Sequence, residues 1–462
     1  METRETTASR EGVREPPSRL SGVLAQIGPG LVVTGSVIGS GELINTPKRA
    51  AEFGFALLWI VILSCVIKWW LQVELGRYCL TNNLTTVQAI NSLPGPRWRK
   101  THVIALLYGV GYVFSMATLG GILTATAGLL RDTLGWDVRV GAVLLYAATI
   151  FLLYGGLYRT LETAVTVLVA GFSLSVLICL ALVQASPYAV SASQIVEGFS
   201  LRLPPGAGYA VISLIGALGT TANEMFMYPY WLLEGGYARH VGDPERPSPS
   251  DGWYARARGW LHVMKVDAFC ATALATVVTM GYFLVGAAVL GGRDVGGLDV
   301  VKDVSRIYTE TYGAWSLVVF MVGGFCTLFS TLVVVAAATG RMGADFTASL
   351  GFIRWDDDTA RVRVIRAFTL LFMTIWLGMA FFMTRPENYV AFGQAVNGLI
   401  NTPLLMVAIV MMAFRVDRRL RMGPLAAFFL LVSVALLAST LAGSAPEMLA
   451  NMGKVFAGLR ND

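Results

Sequence analysis

Long stretches of this chain carry no charged residue, and they constrain its fold more than any other feature. Ala268 to Leu290 and Trp315 to Gly340 contain no Asp, Glu, Lys or Arg. Each stretch is long enough to cross a hydrocarbon core as an α-helix, which takes about 20 residues. Inside a bilayer every backbone amide must be hydrogen-bonded within the chain, so such stretches fold as helices. The sequence therefore predicts an all-α polytopic membrane protein.

The apolar stretches give about eleven predicted spans, numbered in chain order. Spans one to eleven are 22–46, 54–76, 102–130, 139–157, 162–185, 207–234, 263–290, 314–340, 364–384, 388–414 and 423–443. Residues 1–21, rich in Arg, Glu, Ser and Thr, are expected to form a disordered cytoplasmic tail, and residues 444–462 a C-terminal tail. Residues 22–185 and 207–414 then form two halves of five helices each, followed by an eleventh helix.

The 35 Lys and Arg residues are unevenly distributed between the two sides of the predicted bilayer. With the N-terminus inside, most lie in the tail and the even-numbered connections, among them Arg97, Arg99 and Lys100. Cytoplasmic loops carry such an excess, which predicts a cytoplasmic N-terminus in the cell (inner or plasma) membrane. These loops and the anionic lipid they face account for the net charge of +6 without nucleic acid. The expected partners are the bilayer and a small ion or solute, with the chain acting as a monomer.

Span one contains a sequence that favours a break in the helix. Gly39, Ser40 and Gly41 stand in its middle and are followed at once by Glu42. Glycine is a poor residue for a helix interior, and a carboxylate at membrane depth must face protein, water or an ion. These residues predict an unwound stretch that lines a cavity.

Span six repeats this pattern at the start of the second half. Thr220 and Thr221 precede Asn223 and Glu224, and Pro229 follows. Broken helices at corresponding points of two halves are the best sequence indicator of a transporter site. The sequence therefore predicts a five-plus-five inverted repeat with its site between the two breaks.

Three motifs along the chain are Gly28-Pro29-Gly30, the run from Phe53 to Trp59 with Leu71-Gln72, and the run from Tyr158 to Glu162. They resemble motifs of the Nramp family of proton-coupled divalent-metal transporters, and the resemblance covers most of spans one to eleven. The resemblance implies the leucine-transporter-like fold, with a midplane site between broken helices one and six.

The metal-site motifs of that family are replaced in this chain. Gly39-Ser40-Gly41-Glu42 stands where the family has Asp-Pro-Gly-Asn, and Asn223-Glu224-Met225 where it has Met-Pro-His. The resemblance implies backbone-carbonyl ligands at Ser36 and Thr220, and places Asn401 at the family's glutamine position in helix ten. Span three lacks the acidic residues that form the family's proton path.

The side chains at the two predicted breaks offer oxygen ligands. Glu42, Asn223 and Glu224, with the hydroxyls of Ser40, Thr220 and Thr221, suit hard cations such as Mg²⁺, Mn²⁺ or Na⁺ rather than soft transition metals. If the substrate or coupling ion is a cation, the first three are the expected metal ligands. Lys68, in the middle of span two, is expected either to pair with Glu42 or Glu224 or to contact an anion.

Two transport functions therefore remain open, and one enzymatic function ranks below them. The leading interpretation is secondary active transport of a hard cation, and the alternative is symport of a small anion, such as bicarbonate or a carboxylate, driven by Na⁺ or H⁺. An intramembrane enzyme would need a catalytic motif within the spans, and none is present. No cofactor is expected beyond a bound Na⁺ or divalent cation. Asp267 is expected to cap a helix or pair with a loop arginine, and Asp345 to lie in a solvated loop.

Overall fold

The computed structural model describes residues 12–27, 39, 41–155, 158–243 and 249–460. Ser36 and Ser40 lie outside the described residues. The described chain forms helices, with two π-helical and two 3-10 segments, and one short β-hairpin. In chain order these elements are Leu20–Leu24, Gly41–Asn45 (π), Thr46–Phe53, Gly54–Leu57 (3-10), Leu58–Asn82, Thr86–Asn91, strands Arg97–Trp98 and Thr101–His102, Val103–Ser115, Ala117–Leu134, Val138–Tyr154, Tyr158–Val183, Ala192–Gly198, Gly208–Ala217, Ala222–Glu234, Tyr237–Val241, Asp251–Leu290, Gly297–Asp299 (3-10), Val300–Val304, Arg306–Tyr312, Ser316–Ser349, Asp358–Ala380, Pro386–Val396, Asn397–Asn401 (π), Thr402–Ala413 and Pro424–Arg460.

Within the described residues, eight helical stretches are long and apolar enough to cross a membrane. Two shorter apolar helices, Val138–Tyr154 and Gly171–Val183, fall at predicted spans four and five. The all-α polytopic architecture is thus confirmed. The number of spans stays a prediction, because most of span one lies outside the described residues.

Several spans continue as helix beyond their predicted ends. Span seven begins at Asp251, where the Ser250 hydroxyl accepts a hydrogen bond from the Trp253 amide and caps the helix. Span eight continues to Ser349, and span eleven to Arg460, through most of the predicted C-terminal tail. The predicted spans are shorter than these helices because hydropathy marks only the part of a helix inside the bilayer core, whereas the helix can continue into water.

Two carboxylates occupy sites that differ from those predicted. Asp267 lies within the helix of span seven, is fully buried, and accepts a hydrogen bond from the Tyr228 hydroxyl (3.0 Å). Asp345 is also helical and fully buried, and it accepts hydrogen bonds from the hydroxyls of Thr85 and Tyr230 (both 2.6 Å). Buried carboxylates need such donors. Neither residue lies in a solvated loop or at a helix end.

The described part of the N-terminal tail is anchored on the protein, in contrast to the predicted disorder. The Arg14 amide donates to the His240 carbonyl (3.0 Å), and the Trp260 indole donates to the Arg14 carbonyl (2.9 Å). Val23 is buried. The polar composition of the tail led to a prediction of disorder. Composition could not reveal the residues that hold this segment, because they lie more than 200 positions away in the chain.

Span six is interrupted, as predicted. Its first helix ends at Ala217, Leu218 is extended, and the second helix begins at Ala222. Gly219 adopts a positive φ of 63°, and a Cβ there would lie 2.9 Å from the Cα of Cys65. Span ten packs against spans three and six. Two π-helical turns, 41–45 and 397–401, lie near this break.

Candidate ion-binding site

A cavity of about 70 Å³ lies at the break of span six, between spans one, three, six, eight and ten. Seven of the sixteen described residues that line it have polar, uncharged side chains, with oxygen atoms as possible ligands. The polar lining consists of Ser115, Thr118, Thr221, Asn223, Glu224, Thr331, Gln394 and Asn397. Glu224 is the one ionisable side chain among the described lining residues. The polar part of the lining thus offers one carboxylate and several neutral oxygen atoms.

Thr221 and Glu224 hold the start of the second half of span six. The Thr221 amide donates to the Glu224 carboxylate (2.9 Å), and the Glu224 amide donates to the Thr221 hydroxyl (3.2 Å). This reciprocal arrangement satisfies amides that a helix N-terminus leaves without partners. The local sequence Thr-x-x-Glu therefore both restarts the helix and places a carboxylate in the cavity wall.

Asn223 is the centre of a hydrogen-bond network at the cavity wall. Its side-chain carbonyl accepts from the Tyr108 hydroxyl (3.0 Å) and from the Asn401 amide (3.1 Å). Its own amide donates to the Ser115 hydroxyl (2.9 Å). The structure thus brings Asn223 and Asn401 together, but their contact ties span six to span ten rather than leaving both oxygens open.

Span ten supplies two cavity residues that sequence reasoning missed. Gln394 lines the cavity, and its buried side-chain oxygen has no hydrogen-bond donor among the described residues. Asn397 also lines it and donates to the Gly216 carbonyl (3.0 Å). Together with Asn401 they form a polar stripe at intervals of three and four residues along an apolar helix. This helical spacing is the signal that could have identified them.

Span three contributes Met116, which lines the cavity at the junction of Val103–Ser115 and Ala117–Leu134. The one thioether in the matched motif of span six, Met225, is not among the described residues that line the cavity. In the structure the thioether of Met116 comes to the cavity from span three, and a motif within one helix cannot reveal a contact made by another.

Glu42 is fully buried but is not among the residues that line this cavity. Its carboxylate accepts hydrogen bonds from the Gly39 amide (3.1 Å) and from the Thr279 hydroxyl of span seven (2.9 Å). Gly41, next to it, does line the cavity. The predicted pair of carboxylates therefore occupies two environments, with Glu224 at the cavity and Glu42 directed to span seven.

Lys68 caps the first half of span six. Its fully buried ammonium donates to the carbonyls of Ile215 and Leu218, the latter at 2.6 Å. A positive charge is stabilising at a helix C-terminus, where carbonyls lack partners. Thr220 lies outside the cavity lining, and its hydroxyl donates to Gln72 (2.7 Å).

Comparisons with known sequences identify relatives of this chain. The model of the family described as natural resistance-associated macrophage protein-like (Nramp) matches residues 30–445. The divalent metal cation transporter MntH of Deinococcus radiodurans is 24% identical over 344 residues, which cover 73% of this chain and 70% of that protein. The MntH of Verminephrobacter eiseniae is 28% identical over 283 residues, which cover 60% of this chain and only 58% of that protein.

Solved structures show the same fold. A manganese transporter of Eremococcus coleocola superimposes with a TM-score of 0.62 at 14% identity, covering 96% of this chain and 95% of the other. The nucleobase-cation-symport-1 family transporter MHP1 superimposes with a TM-score of 0.54 at 12% identity, covering 92% and 91%. The predicted leucine-transporter-like fold is confirmed by these likenesses.

Proposed function

Because this chain belongs to the natural resistance-associated macrophage protein-like family, we propose that it is a secondary transporter of a hard divalent cation such as Mg²⁺ or Mn²⁺. Its place is the plasma membrane, with the N-terminus in the cytoplasm. The relatives named as divalent metal cation transporters and as a manganese transporter support this class of substrate.

One observation carries the choice of a cation over an anion. The described lining of the cavity includes the Glu224 carboxylate and the Gln394 oxygen without a donor, but no Lys or Arg. A buried acceptor without a donor is costly, and a bound cation would satisfy it. Lys68, the positive group that favoured an anion, donates to helix carbonyls instead.

The size and chemistry of the cavity favour a small, hard ion. A cavity of about 70 Å³ has room for a small ion with a few waters and none for a large organic solute. Carboxylate, amide and hydroxyl oxygens suit Mg²⁺, Ca²⁺ and Mn²⁺. We assign the primary ligand roles to Glu224 and Gln394, with Thr221 and Asn397 beside them, and Asn223 becomes a ligand when its network opens.

The sequence of span three bears on the route of the driving ion, because it carries no Asp or Glu between His102 and Leu130. Without acidic residues there, a separate proton path along this helix lacks its carriers. We infer that the driving ion enters the cavity itself and shares Glu224 with the substrate.

Transport into proteoliposomes tests the proposal. The full-length protein is reconstituted, and uptake of Mg²⁺, Mn²⁺, Na⁺ and bicarbonate is measured while Na⁺ and proton gradients are varied separately. We expect uptake of a divalent cation, and a loss of at least about tenfold in Glu224→Gln, which corresponds to ~1.4 kcal/mol of lost interaction.

Glu197→Gln is the matched control, because Glu197 is exposed in the short helix Ala192–Gly198, outside the cavity lining. It should transport like the unaltered protein. Uptake of bicarbonate without any divalent cation would contradict the proposal, as would full divalent uptake by Glu224→Gln.

A further inference from the structure

A second and larger cavity, of about 320 Å³, opens at the end of the bundle where the basic loops lie. Four helices enclose it: Val138–Tyr154, Ala222–Glu234, Ser316–Ser349 and Asp358–Ala380. Its described lining includes three guanidinium groups, from Arg341, Arg361 and Arg366, and one carboxylate, from Glu234. The proposed transport path uses none of these residues.

Two of the three arginines are balanced by carboxylates. Arg341 forms a forked pair with Glu234 (2.6 and 3.3 Å). Arg361 pairs with the buried Asp345 (2.6 Å), which also accepts the Tyr230 hydroxyl. These pairs fix the positions of the two guanidinium groups in the cavity wall. Arg361 still has N–H groups beyond the one that the carboxylate occupies, because a guanidinium carries five donors.

Arg366 is different. No carboxylate among the described side chains pairs with it, and its guanidinium lies over the Tyr154 ring at 5.7 Å from the ring centre. The Tyr154 hydroxyl donates to the Arg366 carbonyl (2.6 Å), which holds the ring and the arginine together. The cavity therefore presents an unbalanced positive charge on a positioned side chain.

The surroundings of the cavity are apolar. Leu153, Val362 and Ile365 line it, and exposed Phe151 and Leu370 lie on the same helices. Tyr154 is partly exposed beside them, as aromatic residues are at the bilayer surface. A ligand bound here would have its negative group among arginines and apolar chains along the helices.

We propose that this cavity binds the phosphate of an anionic phospholipid headgroup. Arg366 and the remaining donors of Arg361 would contact phosphate oxygens, as guanidinium groups do in bidentate geometry. Basic pockets between transmembrane helices on the cytoplasmic side are suited to such headgroups. The apolar rim favours a lipid over a free anion, because a free anion gains nothing from Leu153 or Val362.

Native mass spectrometry of the full-length protein tests this assignment. The delipidated protein is mixed with equimolar dioleoylphosphatidylglycerol and dioleoylphosphatidylcholine, and retained lipids are counted. We expect preferential retention of phosphatidylglycerol, reduced at least about fivefold in Arg366→Gln, since one basic residue near the surface contributes roughly that factor. Arg366→Lys, which keeps the charge but not the guanidinium fork, should lose less binding than Arg366→Gln and guards against misfolding of the first variant.

Arg363→Gln is the matched control, because Arg363 is exposed on the same helix but does not line the cavity. Equal loss in Arg363→Gln, or equal retention of the two lipids, would overturn the proposal. In a parallel thermal-unfolding measurement, phosphatidylglycerol should stabilise the delipidated protein and millimolar inorganic phosphate should not. Equal stabilisation by phosphate would make this a free-anion site and overturn the lipid assignment.

Discussion

At the scale of single residues, substitution of Lys68 tests whether this side chain stabilises the fold or contacts a transported ion. Its ammonium satisfies two carbonyls at the end of the first half of span six and lies outside the described cavity lining. In Lys68→Met those carbonyls lose a charged donor. We expect the free energy of unfolding to fall by ~1–3 kcal/mol, the cost of unsatisfied buried groups. Thermal unfolding in detergent measures this loss.

Divalent uptake by the folded fraction of Lys68→Met should equal that of the unaltered protein. Lys302→Met serves as control, because Lys302 is exposed and its loss should change neither quantity. If uptake by the Lys68→Met protein collapsed while the protein stayed fully folded, Lys68 would be an anion contact, and the alternative of anion symport would replace cation transport.

The residue scale also shows where sequence reasoning stops. The carboxylates at both breaks were identified from local composition, because glycines and hydroxyls beside a Glu are visible in a single segment. That Glu224 lines the cavity while Glu42 binds Thr279 depends on how spans one and seven cross. The same holds for Gln394 and Met116, which reach the cavity from helices that show no break signal of their own.

At the scale of elements, an ion pair joins the ends of spans one and ten, which both line the cavity. Lys48, in the helix Thr46–Phe53, lies 3.5 Å from Glu387, at the start of span ten, and also donates to the Val295 carbonyl (3.1 Å). The Glu387 side chain is fully buried. In Lys48→Met or Glu387→Gln we expect a loss of stability of ~3–5 kcal/mol, because a buried charge loses its partner.

A double-mutant cycle by thermal unfolding checks this pair. The double variant Lys48→Met/Glu387→Gln should recover part of the loss, since neither buried charge remains. Arg131→Met with Asp299→Asn provides a partly exposed pair for comparison, expected to contribute about 0–1 kcal/mol. Strictly additive losses at Lys48 and Glu387 would show that the two side chains do not stabilise each other.

Elements were predicted from hydropathy with their order correct, but several helices, among them those of spans seven and eight, extend beyond their predicted bounds. The interruption of span six was predicted because Gly219 and the Thr221–Glu224 capping pair are local signals. The burial of Asp345 was not, because its partners Thr85 and Tyr230 come from distant segments.

At the scale of the whole molecule, the docked N-terminal segment makes stability depend on pH through His240. This side chain is 5% exposed and lies against Trp260. Burial lowers the pKa of the imidazole, and the guanidinium groups of Arg14 and Arg239 lower it further. The unfolded chain then binds more protons than the folded one. The contribution of His240 to the free energy of unfolding is therefore fully present above the ordinary imidazole pKa of about 6.5. It is lost as the pH falls from there through the lower pKa that His240 has in the folded protein.

Thermal unfolding between roughly neutral pH and about pH 5 measures this dependence. His240→Gln should flatten part of it, because no proton can then be taken up at this position. His262→Gln is the control, since His262 is exposed on the neighbouring helix, and its curve should follow the unaltered protein. An unchanged pH dependence in His240→Gln would assign the effect to other groups.

The π-helical turns at 41–45 and 397–401 have a consequence for movement. Each holds one residue more than an α-helical turn would need. One residue corresponds to about 100° of rotation and ~1.5 Å of rise. If such a turn tightened to an α-helical turn, the rest of its helix would rotate by about 100° and move ~1.5 Å along its axis while keeping its backbone hydrogen bonds. Such a shift in span ten would change which of its side chains face the cavity, and it would break the hydrogen bond from Asn397 to the Gly216 carbonyl.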